Sequence, residues 1–269
     1  MYKILSILLI FSYTLLLATS DFDMDGVEDS IDNCPNTPIT DLVDINGCTI
    51  KSLVSPHHFD IITGISYSQT SYTGIGDSDT ISESLQVDYY YKDFSVQVST
   101  SYYSSSSDSY DDSGMGDSFI GAYYKLYPLS NLNLRFGIGA ILPTYDSTLN
   151  NNNTDYVASL NLSYMLEKVN IFGGYNYTMV NDDDTTRVKY QDTNSYNVGV
   201  GFYPTSKLYL SGSLNSSNSI YEDVDDINTL SIYAFYSINT NWFTNFSYAY
   251  GLSDSASDNY VSLRLGYYF

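Results

Sequence analysis

The chain is short of positive charge, histidine, cysteine and tryptophan, and it has one long apolar run only. Of 269 residues, 10 are Lys or Arg against 31 Asp or Glu, a formal charge of −21. That balance excludes nucleic acid as a partner, because phosphate binding needs a basic surface. The two histidines, His57 and His58, are adjacent and precede the first expected strand. The body of the chain therefore has no His to act as a general base, and it is read as a non-enzyme. Two neighbours in an extended chain point apart, so they do not form a metal pair either. The apolar run is Ile4 to Leu17, behind Lys3 and ahead of Ala18-Thr19-Ser20. This reads as a secretory signal over residues 1–20, with the mature chain starting at Asp21. No cysteine stands at the cleavage point, which argues against a lipid-anchored start. No later stretch is long and apolar enough for a helical span, so any membrane insertion must use strands. Two cysteines in an exported chain point to one disulfide.

What is present is tyrosine and acid. With 30 Tyr, 12 Phe and a single Trp, the chain is too aromatic to be an acidic disordered segment. Residues 21–32 read Asp-Phe-Asp-Met-Asp-Gly-Val-Glu-Asp-Ser-Ile-Asp. Asp21, Asp23, Asp25, Asp29 and Asp32 carry the spacing of a calcium loop, with Gly26 at its sharp turn and the Val27 carbonyl turned to the ion. Calcium takes six to eight hard oxygen ligands, and alternate carboxylates in a curled loop converge on one point. No helix pattern flanks the loop, so it is not an EF-hand pair.

Downstream of the calcium loop come Cys34-Pro35-Asn36-Thr37-Pro38 and Asn46-Gly47-Cys48. The whole resembles the bacterial form of the thrombospondin type 3 repeat. That resemblance implies calcium as cofactor, a Cys34–Cys48 bridge, and company with an outer-membrane barrel. The segment is bounded at residues 21–50, with a linker over 51–58.

From Phe59 to Phe269 apolar residues recur at every second position. Examples are Leu132, Leu134, Phe136, Ile138, Ala140 and Leu142, and then Val261, Leu263, Leu265 and Tyr267. A period of two gives one apolar face and one polar face. The second face reads as Gly, Ser, Asn and Thr, which suits a polar lumen inside an apolar, lipid-facing wall. Connections alternate: tight at Lys92-Asp93, Pro128–Asn131, Glu167-Lys168, Tyr203–Ser206 and Ile238–Asn241, long between them, as at Thr73–Thr80 and Ser104–Asp117. The expectation is all-β: a transmembrane antiparallel up-and-down β-barrel of about twelve strands over 59–269, behind a small N-terminal calcium-binding loop segment. Tyr67, Tyr89, Tyr164, Tyr177, Tyr248 and Tyr267 are expected to form girdles at the two membrane–water interfaces.

The terminal Leu265, Tyr267 and Phe269 resemble the last-strand signature of bacterial outer-membrane barrels, which implies the barrel assembly machinery as a partner. Gly116-Asp117 opening one strand, and Arg135-Phe136-Gly137-Ile138-Gly139 leading to Leu142-Pro143-Thr144, resemble the outer-membrane channel family named for the meta-cleavage pathway of phenol degradation. Here Tyr145 stands where that family has Gly. The resemblance implies a channel for small compounds.

Four charges fall on the lumen face by parity: Asp88, Lys125, Arg135 and Arg264. They either line a pore and set its selectivity or pair with one another and plug it. The expected function is a passive, porin-like channel for small solutes in the bacterial outer membrane, with the front segment in the periplasm. Lipid and lipopolysaccharide are its surroundings. The alternative is a structural or adhesive barrel without transport. The acid runs Asp182-Asp183-Asp184 and Glu222–Asp226 read as solvated loop tips.

Overall fold

The computed structural model describes residues 23, 27–37, 43–48, 56–72, 76–107, 111–145, 153–186 and 188–269. The proposed signal at 1–20 and the linker at 51–55 lie outside the described residues, as do Asp21, Asp25 and Gly26. The chain divides into two compact units, Met1–Pro56 and His57–Phe269.

The second unit has thirteen strands: β1 His57–Tyr72, β2 Gly76–Tyr91, β3 Phe94–Ser107, β4 Asp111–Met115, β5 Ser118–Leu129, β6 Leu132–Leu142, β7 Asp155–Leu166, β8 Val169–Met179, β9 Thr193–Thr205, β10 Leu208–Ser217, β11 Ile227–Ser237, β12 Trp242–Gly251 and β13 Asn259–Tyr268. Neighbours pair antiparallel, and β1 pairs both β2 and β13 while β2 also pairs β3. The ring is therefore closed by twelve strands. β4 stands outside that count, adding to β3 where β3 runs past β5.

The hydrophobic distribution is that of a protein turned inside out. Among the described residues only Ile62 and Ala256 are buried hydrophobics, whereas Ile138, Val198, Val200, Leu214 and Leu263 are all more than half exposed. In water such a wall would cost about 25 cal/mol for every Å² of apolar surface left uncovered. An outward apolar band on closed strands needs hydrocarbon as its solvent, and closure leaves no unpaired backbone edge in it.

Turn chemistry fixes the ends. β2 and β3 are joined by Lys92-Asp93, and β7 and β8 by Glu167-Lys168. Lys92 and Glu167 have φ of 53° and 52°, the left-handed entry that tight hairpin turns demand. At the same end, the Phe269 N–H donates to the Phe59 carbonyl at 2.9 Å, and Trp242, Tyr267 and Phe269 stack edge to face. Both ends of the barrel chain thus lie on the short-turn side.

Three sequence expectations shift. Most of the stretch Thr73–Thr80 is strand: β1 runs to Tyr72 and β2 starts at Gly76, with 73–75 outside the described residues, and these two strands are the longest of the barrel. Ser104–Asp117 contains the end of β3 and all of β4. Both stretches are mostly Ser, Thr, Asp and Gly in sequence, so they carry no apolar alternation to betray a strand. His57 and His58 do not precede the first strand but open it. They do point apart: His57 stacks on outward Tyr89 and Tyr91, His58 on inward Tyr90 and Tyr268.

The first unit is held by short polar links. Cys34 and Cys48 form a disulfide. Asp23 accepts the backbone N–H groups of Asn36 and Thr37, both at 2.7 Å, and Asp32 accepts that of Cys34 at 2.7 Å. Thr37 donates its hydroxyl to the Cys34 and Gly47 carbonyls. Closing a loop of this size is worth about 3 kcal/mol on the chain-entropy model, which matters in a segment too small to bury a core. Asp44 accepts from the N–H groups of Asn46 and Cys48, and these bonds hold its carboxyl below the usual carboxylate range. A depressed folded value stabilises the turn above the unfolded value and is lost as pH falls through the folded one. NMR titration should therefore find Asp44 protonating below 3.8, its ordinary value, with the 44–48 turn intact at pH 5. Protonation at or above 3.8 contradicts this.

Candidate functional site

Strand register assigns every side chain to one face of the barrel wall. Even positions face inward on β1, β2, β8 and β13, and odd ones on β3, β5, β6, β7 and β9 to β12. The six girdle tyrosines named from sequence all lie on the outward face.

The interior is graded along its length. Toward the loop end it is Ser66, Ser84, Ser101, Ser213, Asn215, Ser231 and Ser262. Around Ser66, Ser84, Gln86 and Arg264 lies a polar cavity of about 310 Å³. Toward the turn end the interior is aromatic and charged, with Tyr90, Tyr123, Tyr203, Tyr209, Phe235, Phe243 and Tyr268. This corrects the reading of a face made almost wholly of small residues. Tyrosine suits an interface and a wet interior equally, so composition does not assign it to either.

All four charges named from sequence lie on the inward face, and two of them, Arg264 and Asp88, are joined through Gln86. Arg264 donates through Nη2 to the Gln86 Oε1 at 2.7 Å, and Gln86 donates through Nε2 to the Asp88 Oδ2 at 2.7 Å. Asp88 is only 6 % exposed. The Arg135 guanidinium lies 3.7 Å from the centre of the Tyr123 ring. Lys125 stands directly across from Arg135 in the β5–β6 register. Among the described residues none of these charges makes a direct ion pair; the salt bridge that is present, Lys189 to Glu222 at 3.6 Å, is in the outer loops. Asp60, which parity also placed inward but sequence reading passed over, is the register partner of Asp88. Its Oδ1 and the Nε atoms of Arg135 and Arg264 are buried without a protein partner. These interior charges thus gather on one arc of the ring, on β13, β1, β2, β5 and β6, with Arg264 and Asp88 linked through Gln86 rather than by a direct ion pair.

In the front unit, Asp23, Val27, Asp29 and Asp32 are described, and Asp21 and Asp25 are not. Among the described residues no three acidic, His or Cys side chains are grouped as a metal site. The donor chemistry nonetheless fits calcium. It consists of carboxylate and carbonyl oxygens, with both sulfurs taken up in the disulfide. For Asp32 the backbone link uses one oxygen of the carboxylate.

The chain belongs to the family described as "Putative MetA-pathway of phenol degradation", whose model matches residues 50–269. Residues 19–42 match the thrombospondin type 3 repeat. No curated protein matches the chain. Among solved structures it is similar to an outer membrane channel from Pseudomonas putida F1, at 13% identity and a TM-score of 0.68, covering 80% of this chain and 97% of that one. It is also similar to the translocator domain of the autotransporter NalP from Neisseria meningitidis, at 11% identity and a TM-score of 0.51, covering 82% and 90%. The fold is that of outer-membrane barrels.

Proposed function

We propose that the barrel is a passive channel for small solutes in the bacterial outer membrane, with the front segment on its periplasmic side as a calcium-stapled spacer. The observation that carries this is the interior: a closed ring of twelve strands that holds a polar cavity of about 310 Å³ lined by Ser66, Ser84, Ser101, Ser262, Tyr260 and Arg264. The likeness to an outer membrane channel and the family membership support the same reading. Swelling of proteoliposomes in uncharged sugars of graded size tests it. Uptake should fall steeply with solute size. Swelling no faster than in protein-free vesicles would leave the structural barrel as the better account.

Permeation past Arg135 and Arg264 predicts an electrostatic signature. Across about 10 Å of lumen one unit charge at an effective dielectric near 20 is worth about 1.7 kcal/mol. Screening at physiological salt, with a Debye length of about 8 Å, leaves roughly a third of it. Neutralising either residue as Arg135→Gln or Arg264→Gln should therefore move the cation-to-anion permeability ratio toward cations by about fivefold, roughly twofold from each sign of ion. Reversal potentials across a salt gradient measure this, and an unchanged ratio in both variants would remove these residues from the path.

In the calcium segment Asp21, Asp23, Asp25, Asp29, Asp32 and the Val27 carbonyl would hold the ion. When bound it supplies positive charge that cancels the repulsion of five carboxylates within twelve residues.

A further inference from the structure

Six inward-facing glycines of the barrel wall sit beneath aromatic rings, five of them beneath a ring from the neighbouring strand and Gly121 beneath Phe119 of its own strand. Phe119 covers Gly121 and Gly139, Tyr123 covers Gly137, Phe172 covers Gly199, Tyr209 covers Gly201 and Phe243 covers Gly266. At each one a Cβ would stand closer than 3.0 Å to the ring, a distance real Cβ atoms do not adopt. Among the described residues the positive-φ glycine is Gly47, in the front unit. The barrel glycines therefore have ordinary extended backbone, and what they supply is room rather than conformational freedom.

Two of these seats are clean. At Gly201 and at Gly266 the three nearest atoms are all from the covering ring, with no backbone in the way. Tyr209 shows how flat its ring lies. Starting on β10, it passes over Gly201 on β9 and accepts a hydrogen bond from Asn170 Nδ2 on β8 at 3.1 Å. Asn170 is directly opposite Gly201 in the register, and its own Oδ1 is held by the Ser163 hydroxyl on β7 at 2.8 Å. The neighbouring rings continue the lining: Tyr203 lies 4.8 Å from Tyr209, Tyr233 lies 6.3 Å from it, and Phe235 lies 5.4 Å from Phe243.

We infer that Gly201 and Gly266 set the bore of the turn-end half of the lumen, by letting Tyr209 and Phe243 lie down against the wall instead of standing into the passage. The rings then present their faces to a permeant, and the glycines limit its girth. A methyl group at either glycine displaces the ring in the one direction open to it, away from the wall. This deepens the channel reading and rests on it.

The test is single-channel conductance of the full refolded chain, with heat-modifiable gel mobility confirming that each variant is folded. Gly201→Ala and Gly266→Ala should each lower conductance on the order of twofold, and Gly266→Ala combined with Phe243→Ala should restore it. A conducting native chain whose conductance is unchanged in both glycine variants overturns the inference while leaving the channel standing. A native chain that does not conduct overturns the channel reading itself. Should the glycine variants fail to fold, Phe243→Ala and Tyr209→Ala decide the matter in the native background. Flat rings predict less than about a twofold rise on their removal, and a larger rise shows that they stood in the lumen.

Discussion

Ile138→Arg is expected to destabilise the barrel by about 2–4 kcal/mol in a bilayer. Ile138 lies mid-strand on the outward face of β6, 70 % exposed. Ala122 and Ala158 are opposite it on the adjoining strands. In a water-facing wall a position so open would accept arginine within about 0.5 kcal/mol, because nothing is uncovered or displaced. In hydrocarbon the same side chain must be dehydrated or must reach to an interface, and the cost is set by depth. Urea unfolding of the refolded protein in lipid vesicles reads the difference. A destabilisation below 0.5 kcal/mol would mean that this band is wet, and the membrane reading would fall with it.

The second large effect concerns calcium. The refolded full-length chain, oxidised, should bind one calcium ion in its front segment, and Asp25→Ala should weaken binding at least tenfold, about 1.4 kcal/mol. Asp23→Ala should do more, since Asp23 also ties down the N–H groups of Asn36 and Thr37. Without the ion, five carboxylates within twelve residues repel one another at short range. Chelation should therefore loosen residues 21–37 on hydrogen exchange while the barrel, which shares none of these ligands, keeps its protection. Calorimetry that finds no heat at millimolar calcium would end the proposal, as would equal affinities in the native chain and Asp25→Ala.

Legibility from sequence followed the physics of each feature. The barrel wall was readable because an apolar face against lipid repeats every second residue, as in Leu132 to Leu142, and because the tight turns at Lys92-Asp93 and Glu167-Lys168 interrupt that repeat sharply. The even strand count followed from alternating connection lengths. The upper parts of β1 to β4 were not readable, because a hairpin with water on both faces has no reason to alternate. The interior was only partly readable. Parity placed Asp88, Lys125, Arg135 and Arg264 on one face, but the Gln86 link between Arg264 and Asp88 depends on which strands meet across the β13–β1–β2 seam. The flat aromatic lining was hidden for the same reason. A glycine such as Gly201 is uninformative until the register puts Tyr209 over it.

The central claim is that the closed barrel conducts, and planar-bilayer recording of the refolded full-length protein tests it most directly. The account predicts discrete, long-lived conductance steps that scale with salt concentration and that appear only with the folded, heat-modifiable form. Bilayers that stay silent when the inserted protein is demonstrably folded would contradict it.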